Sequence, residues 1–344
     1  MVDVTVRGAG IFGLACAWVC AKRGARVRVV DPHGVGAGAS GGIVGALAPH
    51  VPENWNDKKA FQFESLRMSG PFWADVAEVG GGDPGYARTG RLQPVVDAAA
   101  LVLARARAAG AADLWQGFAD WSVERSADDW APASASGWVI RDTLSARLHP
   151  RRACDALARA LTAKGADIVR DAADEGVVLW ATGWQGLEAM SEALGRRVGN
   201  GVKGQALLLR YDARDAPQLF ADGLHIVPHA DGTVAVGSTS EREFADPTSV
   251  DVQCDALLER AREALPMLKD AEVLERWAGV RPRARSRAPM LGRHPLAKGA
   301  YIANGGFKIG FGMTPKVAEV MADLMLEERD GIPEGFRVKA SVKD

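Results

Sequence analysis

The stretch that decides the fold is residues 1–31, MVDVTVRGAGIFGLACAWVCAKRGARVRVVD. A short β-branched run leads to Gly8, a segment with helical character follows at residues 11–23, and a second strand-like run ends at Asp31. In a βαβ unit of this kind, Gly8 allows the tight turn, Gly10 lets the backbone approach a phosphate, and Gly13 lets the helix pack on the strand. A carboxylate at Asp31 can accept both hydroxyls of an adenosine ribose. The stretch therefore predicts dinucleotide binding, and a glycine-rich turn without a ligand is the alternative.

Composition excludes several classes of protein. The chain has 344 residues, 47% hydrophobic and 25% charged, with a net charge of −1, which is typical of a globular protein with room for two domains. A net charge this small provides no overall electrostatic attraction to nucleic acid or to a membrane surface. No apolar run is long enough to span a bilayer. The four cysteines form no CxxC pair, and we see no metal-ligand cluster and no Ser-His-Asp arrangement. Because the first predicted strand starts at residue 2, we expect no signal peptide and a cytoplasmic protein.

Two further glycine-rich segments bear on the choice of dinucleotide. Residues 32–46 contain too much glycine for a helix or a central strand, so we expect an extended loop beside something flat or charged. Another glycine-rich turn occurs at residues 305–314, ahead of a last helix predicted at 314–328. A second array of backbone amides at a helix N-terminus can face the far end of a long cofactor. This arrangement favours FAD over the shorter NAD.

The segments with nucleotide-site character lie at both ends of the chain and around residues 177–184, with short β-like runs between them. We therefore predict an α/β fold in which a discontinuous Rossmann-type domain carries an inserted antiparallel β-sheet domain. The predicted FAD-binding domain comprises residues 1–85, 146–200 and 275–344, and the substrate domain comprises residues 86–145 and 201–274. Helices are predicted at 57–79, 98–109, 151–164 and 255–268, and strands at 204–210, 224–228, 233–238 and 300–304.

Motifs along nearly the full length resemble those of one family. They are GAGIFG at 8–13, the acid at Asp31, GASGG…GALAPH at 38–50, YARTGRL at 86–92, LWATGW at 179–184, HIVPHADGTVAVGST at 225–239, WAGVRPRARSRAPMLGRHP at 277–295 and NGGFKIGFGMTP at 304–315. In this set and order, the chain resembles the D-amino-acid oxidase family of FAD-dependent oxidoreductases, most closely the bacterial glycine oxidases. The resemblance implies FAD as cofactor and oxidative deamination of a small amino acid such as glycine, sarcosine or a D-amino acid. A hydride would pass to flavin N5, and O2 would be reduced to H2O2.

The resemblance also implies which residues hold FAD. They are Gly8, Gly10, Ile11, Phe12, Gly13, Asp31, Pro32, Ala39, Ser40, Val44, Gly45, Ala46, Thr182, Gly183, Gly306, Phe307, Ile309, Gly310 and Phe311.

Four residues are candidates for the substrate site. Arg281 stands where the family places the arginine that clamps the substrate carboxylate. Lys308 stands where glycine oxidases place a second arginine, and His225 stands where a tyrosine often lines the pocket. His50 follows the loop expected beside the flavin. The structural alternatives are a salt-bridge arginine, a solvated lysine, an ordinary strand residue and a hydrogen-bonded histidine.

Three other functions remain open at this point. The motif GASGG…GAL and Phe61-Gln62 also resemble the oxidase domain that trims carboxymethylaminomethyl-uridine in tRNA, but the near-neutral charge argues against a nucleic-acid partner. A dehydrogenase would pass electrons to an acceptor other than O2, and a non-catalytic FAD-binding protein is disfavoured by Arg281. The expected partners are a small amine or amino acid and O2, and a homo-oligomer is compatible with the sequence.

Overall fold

The computed structural model describes residues 1–127 and 129–342. The strands are β1 Val4–Arg7, β2 Val27–Val30, β3 Ala46–Leu47, β4 Arg91–Pro94, β5 Trp121–Arg125, β6 Trp138–Asp142, β7 Ala146–Arg147, β8 Asp167–Val169, β9 Val177–Trp180, β10 Gly199–Arg210, β11 Gln218–Ala221, β12 Leu224–Pro228, β13 Thr233–Gly237, β14 Glu272–Ala284, β15 Met290–Arg293 and β16 Ala300–Asn304. The helices are α1 Ile11–Lys22, α2 Asp57–Gly80, α3 Ala98–Leu114, α4 Pro150–Ala163, α5 Gly183–Ala193, α6 Val252–Ala264, α7 Gly310–Glu327 and α8 Val338–Val342.

The first sheet has six strands in the order β15-β16-β9-β1-β2-β8. Strand β1 pairs in parallel with β2 and with β9, so the first βαβ unit lies at the centre of the sheet, as the sequence predicts. Strand β16 pairs in parallel with β9, and β15 closes that edge in the antiparallel direction. Helices α1, α2, α4 and α7 pack together in one large apolar core with this sheet. Segments from the two ends of the chain therefore build one layer.

The second sheet has eight strands in the order β14-β10-β13-β12-β11-β4-β6-β5. It is antiparallel except where β11 runs parallel to β4, and its longest pair joins β10 to β14. Alternation along the strands separates the two faces. One face buries Leu207, Ile226 and Val236 against Leu257 and Leu258 of α6. The opposite face is therefore available for other contacts.

Together the two sheets confirm the predicted fold class, a Rossmann-type α/β layer combined with an antiparallel β-sheet. Some element boundaries were wrong. The last helix begins at Gly310 rather than at residue 314, because the glycine-rich turn runs directly into the first turn of α7. Helix α6 ends at Ala264 rather than at residue 268, because Pro266 cannot continue an α-helix. Among the described residues, no helix is both long and apolar enough to cross a membrane.

Candidate FAD and substrate site

The turn between β1 and α1 needs glycine at two positions. Gly8 has a φ of +111°, and a Cβ on it would overlap the carbonyl oxygen of Ala181. A Cβ on Gly13 would overlap the carbonyl oxygen of Gly8. These approaches bring the N-terminus of α1 directly over the end of β1, where a dinucleotide phosphate binds in folds of this type.

The N-terminus of α1 is built to receive an anion. Its first turn contains no acidic residue, and its N-cap, Gly10, provides no side chain. The Ile11 N–H donates to Ser40 Oγ at 2.9 Å, which brings the loop after β2 against the helix end. A helix N-terminus presents unpaired N–H groups and a partial positive charge. A pyrophosphate satisfies both.

Asp31 stands one residue after β2, where a ribose would lie. Its Oδ2 accepts from the Ala9 N–H at 2.8 Å, and its Oδ1 accepts from the His33 N–H at 2.9 Å. Each carboxylate oxygen can accept more than one hydrogen bond, so both retain capacity for a hydroxyl. The next residue, Pro32, accepts from Arg170 through its carbonyl at 3.1 Å.

The remaining predicted cofactor segments meet this turn from two sides. Asn304 Nδ2 donates to the Gly183 carbonyl at 2.8 Å, which ties the end of β16 to the start of α5 at Thr182-Gly183. A Cβ on Gly306 would lie 2.9 Å from the ring of Phe12. The two glycine-rich turns, 8–13 and 305–310, therefore touch each other.

The loop containing Ala39, Ser40, Val44, Gly45 and Ala46 packs between the two sheets. A short 3-10 turn covers residues 39–41. Gly45 has a φ of +65°, and a Cβ on it would overlap the carbonyl oxygen of Leu148. A Cβ on Gly237 of β13 would lie 2.6 Å from Val44 Cγ2. The predicted cofactor loop thus presses on the second sheet.

Strand register defines which residues of the second sheet face this loop. Cross-strand partners share a face, and so do residues two apart along a strand. Register across β10, β14, β13, β12, β11 and β4 therefore places one set of residues on one face, which we call the site face: Gly204, Ala206, Trp277, Gly279, Arg281, Gly237, His225, Phe220, Gln218 and Arg91.

Arg281 is held on the site face by neutral groups. Its Nη2 donates to Ser238 Oγ at 2.6 Å, and its Nη1 donates to the Thr239 carbonyl at 3.4 Å. A Cβ on Gly204 would overlap both Nη atoms, so the guanidinium lies flat against that glycine. Burial lowers the pKa of Arg281 to about 10, while the charge of Glu241 acts in the opposite direction. The side chain stays cationic at neutral pH.

Lys308 is exposed, which agrees with the alternative of a solvated lysine, and the backbone brings it near Arg281. The Phe307 N–H donates to the Pro282 carbonyl at 3.0 Å, and Gly306 bridges to Arg283. Lys308 Nζ lies 5.8 Å from the centroid of the Phe307 ring. Desolvation and the charge of Arg281 lower the pKa of Lys308. Two predicted cations therefore lie in one region.

His225 belongs to the same region. Its ring lies 4.7 Å from that of Phe220, and its buried Nδ1 has no hydrogen-bond partner among the described residues. Desolvation, Arg91 and Lys308 together lower its pKa to about 3, so the imidazole is neutral at neutral pH.

His50 is placed differently from these three. Its backbone N–H donates to Gln62 Oε1 at 2.8 Å, and its ring Nδ1 contacts the same oxygen. Gln62 also donates to the Ala48 carbonyl at 3.1 Å. These bonds fasten His50 to α2, and they agree with the alternative of a hydrogen-bonded structural histidine.

Sequence reasoning missed several residues of the site face. Arg91 lies within the quoted motif YARTGRL but was given no role; it forms a buried ion pair with Asp142 at 2.8 Å, and its charge acts on His225. Ser238, which accepts from Arg281, lies in another quoted motif, and Gly204 belongs to none of them. Their roles depend on cross-strand register, which a motif does not display.

The residues around the α1 turn fit FAD. A helix end without acids, a close backbone approach at Gly8 and Gly13, a carboxylate at Asp31 and a second turn touching the first are features that a long dinucleotide requires. In agreement, the model of a protein family described as FAD dependent oxidoreductase (DAO) matches residues 3–324. The chain belongs to this family.

Relatives of this FAD-dependent oxidoreductase include several glycine oxidases. The chain is 27% identical over 361 residues to the glycine oxidase of Bacillus licheniformis, covering 94% of this chain and 93% of that protein. It is 34% identical over 125 residues to the glycine oxidase of Pseudomonas aeruginosa, covering 36% of this chain and 34% of that protein. The iminodiacetate oxidase of Chelativorans sp. BNC1 superimposes with a TM-score of 0.84 at 21% identity, covering 97% and 98% of the two chains. The predictions of FAD and of an amine or amino-acid oxidoreductase are thereby confirmed.

Proposed function

We propose that this oxidoreductase oxidises a small amino acid whose carboxylate binds Arg281. The observation that carries the proposal is the state of that guanidinium. Within residues 1–127 and 129–342, no carboxylate lies within ion-pair distance of it, and its two hydrogen bonds go to Ser238 and Thr239. An arginine has five N–H donors, so three stay free for a ligand. A planar carboxylate is the anion that such a fork binds best.

The other residues of the site would bind the cofactor and orient the substrate. FAD, when bound, supplies the hydride acceptor at N5 and the reaction with O2 that regenerates it. The N-terminus of α1 and Asp31 would hold the pyrophosphate and ribose, and the loop 39–46 and residues 306–311 would hold the rest of the cofactor. Neutral His225 and Phe220 would close the substrate site against water. The similarity to glycine oxidases supports glycine, sarcosine or a D-amino acid as substrate, and O2 as acceptor.

A second candidate substrate is an amine that carries two carboxylates. Lys308 lies near Arg281, and neither cation has a carboxylate within ion-pair distance among the described residues. Two positive charges without a directly bonded carboxylate suit a dianion better than a zwitterion with one carboxylate. The structural similarity to an iminodiacetate oxidase supports including this class.

The test compares an amino acid with its amine analogue lacking the carboxylate. We expect the FAD-loaded protein to oxidise glycine, sarcosine or iminodiacetate well and methylamine or dimethylamine poorly. Arg281→Met should lower kcat/KM for the carboxylated substrate by a hundredfold or more, about 3 kcal/mol, because a charged hydrogen-bonded pair is lost. Lys308→Met should cost less with glycine and as much with iminodiacetate if the dianion is the substrate.

Turnover is followed with O2 and, separately, with an artificial dye, which distinguishes an oxidase from a dehydrogenase. Equal oxidation of acid and amine by the wild type, combined with no effect of Arg281→Met on either, would rule out the carboxylate clamp. The tRNA-type or amine-only function would then become the better explanation.

A further inference from the structure

Ser238 and Thr239, which follow the end of β13, hold the guanidinium of Arg281, and the carboxylate of Glu241 in turn holds Thr239. Thr239 exchanges two hydrogen bonds with Gln205: its N–H donates to the Gln205 carbonyl at 3.2 Å, and its Oγ1 accepts from the Gln205 N–H at 2.8 Å. The single proton of the Thr239 hydroxyl is donated to Glu241 Oε1. Gln205 Nε2 donates to the same oxygen at 3.2 Å. Three hydrogen bonds, two with the Gln205 backbone and one with Glu241, therefore hold Thr239, and with it the carbonyl that accepts from Arg281.

The Glu241 side chain is mostly but not fully buried, and its carboxylate has a cationic partner. Its side chain is 11% exposed, and its Oε2 lies 3.9 Å from Nζ of Lys203, which is 4% exposed. The two residues also exchange backbone hydrogen bonds of 2.9 Å in both directions. Lys203 Nζ donates further to Ser249 Oγ at 3.0 Å. A charge held this firmly has a defined position relative to its neighbours.

Glu241 is connected to Arg281 only through Thr239, whose hydroxyl donates to Glu241 and whose carbonyl accepts from Arg281. A direct salt bridge to the guanidinium would stabilise the cation but would occupy the N–H groups that a substrate carboxylate needs. A buried cation with no negative charge nearby would be costly. An acid placed behind Thr239 meets both requirements, since it attracts Arg281 and leaves its outward N–H groups free.

We propose that Glu241 is a positioning residue for Arg281, fixing the Thr239 carbonyl and supplying the charge that keeps the guanidinium on the site face. The proposal rests on the proposed function, in which Arg281 binds the substrate carboxylate. It concerns a residue that touches neither the substrate carboxylate nor the cofactor.

The experiment uses acetate as a probe on the FAD-loaded protein, with binding followed by the change in flavin absorbance. Glu241→Gln keeps an oxygen for the Thr239 hydroxyl but removes the charge, and it should raise the Kd for acetate about tenfold, equivalent to about 1.4 kcal/mol. Glu243→Gln, two residues further along and exposed, is the matched control and should stay within twofold of the wild type. With a carboxylated substrate, Glu241→Gln should raise KM and leave kcat within twofold.

A second pair of variants tests the hydroxyl and serves also if Glu241→Gln fails to fold. Thr239→Val should weaken acetate binding, and Thr239→Ser should restore it to within twofold of the wild type. If Arg281→Met weakens acetate binding while Glu241→Gln and Thr239→Val do not, the positioning role is overturned and the proposed function stands. If Arg281→Met leaves acetate binding unchanged, the proposed function is overturned, and the positioning role that rests on it is overturned as well. Loss of FAD content together with a lower kcat and an unchanged KM would mean a merely structural role, and would also overturn the proposal.

Discussion

At the scale of single residues, the site face depends on glycines, because a residue without a side chain leaves room for a neighbouring group. Gly237 makes room for Val44 of the cofactor loop, Gly279 makes room for the indole of Trp277, and Gly204 makes room for the Arg281 guanidinium. All three lie on one face of adjacent strands. Glycine weakens a strand, so its repeated use here indicates close approach rather than strand stability.

Gly204 gives a direct prediction. We expect Gly204→Ala to displace the Arg281 guanidinium, since the new methyl group would overlap both Nη atoms. Acetate binding and kcat/KM for a carboxylated substrate should fall at least tenfold, whereas FAD content should be unchanged. Gly70→Ala in α2 is the control, because nothing lies within 4 Å of the added Cβ. Wild-type acetate affinity in Gly204→Ala would show that the guanidinium does not need this position.

The residues that sequence reasoning identified share one property: each lies within a local motif. Arg281, Lys308 and His225 were found because their neighbours in the chain resemble a family, and the structure brings them into one region. Glu241 and Gly204 carry no such local signal. Their significance arises from the pairing of β10 with β14 and from the hydrogen bonds of Thr239.

At the scale of elements, a buried ion pair joins β4 to β6. Arg91 Nε donates to Asp142 Oδ2 at 2.8 Å, with side chains 6% and 0% exposed. Asp142 Oδ1 also accepts from the Ser145 N–H at 2.7 Å, which fixes the turn after β6. The pair thus connects the part of the sheet nearest His225 to its outer strands.

Removing the acid of this pair should be costly. Asp142→Ala should lower the free energy of unfolding by about 3–5 kcal/mol, because Arg91 is left buried without a counter-charge. Glu272→Ala breaks the Arg210–Glu272 pair, whose side chains are 67% and 64% exposed, and should cost at most about 1 kcal/mol. Chemical denaturation of both variants provides the comparison. Equal decreases in the free energy of unfolding of the two variants would contradict the idea that breaking a buried ion pair costs more than breaking an exposed one.

Element boundaries were predicted well where local signals were strong and poorly where tertiary structure decides. Helix α1 ends within one residue of its predicted end, because Gly24 follows its last turn. Helix α7 starts earlier than predicted, since helix formation at Gly310 depends on packing against α1 and α2 rather than on propensity. The division into domains at residues 85, 145, 200 and 274 stays a prediction.

At the scale of the whole molecule, buried histidines predict sensitivity to acid. Desolvation is the largest cause that lowers the pKa of His225 to about 3 and that of His229 to about 4, against about 6.5 in an unfolded chain. Between these values, the unfolded state binds more protons than the folded state. The free energy of unfolding should therefore decrease as pH falls from about 6.5 to about 4.

Substitution of single histidines can show which of them causes the pH dependence of the free energy of unfolding. His229→Gln keeps a donor for the Ile43 carbonyl, which His229 Nε2 contacts at 2.8 Å, and should reduce the loss of stability between pH 6.5 and 4. His33→Gln changes an exposed side chain and should preserve it. Unfolding free energies measured across this range provide the test, and parallel curves for all three proteins would exclude His229 as a cause.

The order of strands in the first sheet has a consequence for protein synthesis. Strand β9 separates β1 from β16, so the sheet that begins at Val4 is completed only by residues 300–304. At 5–20 residues per second, the turn at Gly8 waits roughly 15–60 s on the ribosome before its partner turn emerges. From the time β9 emerges until β16 follows it, one edge of β9 is unpaired and open to chaperones and proteases. We therefore expect a chain interrupted before residue 300 to be degraded rather than to accumulate as a flavoprotein.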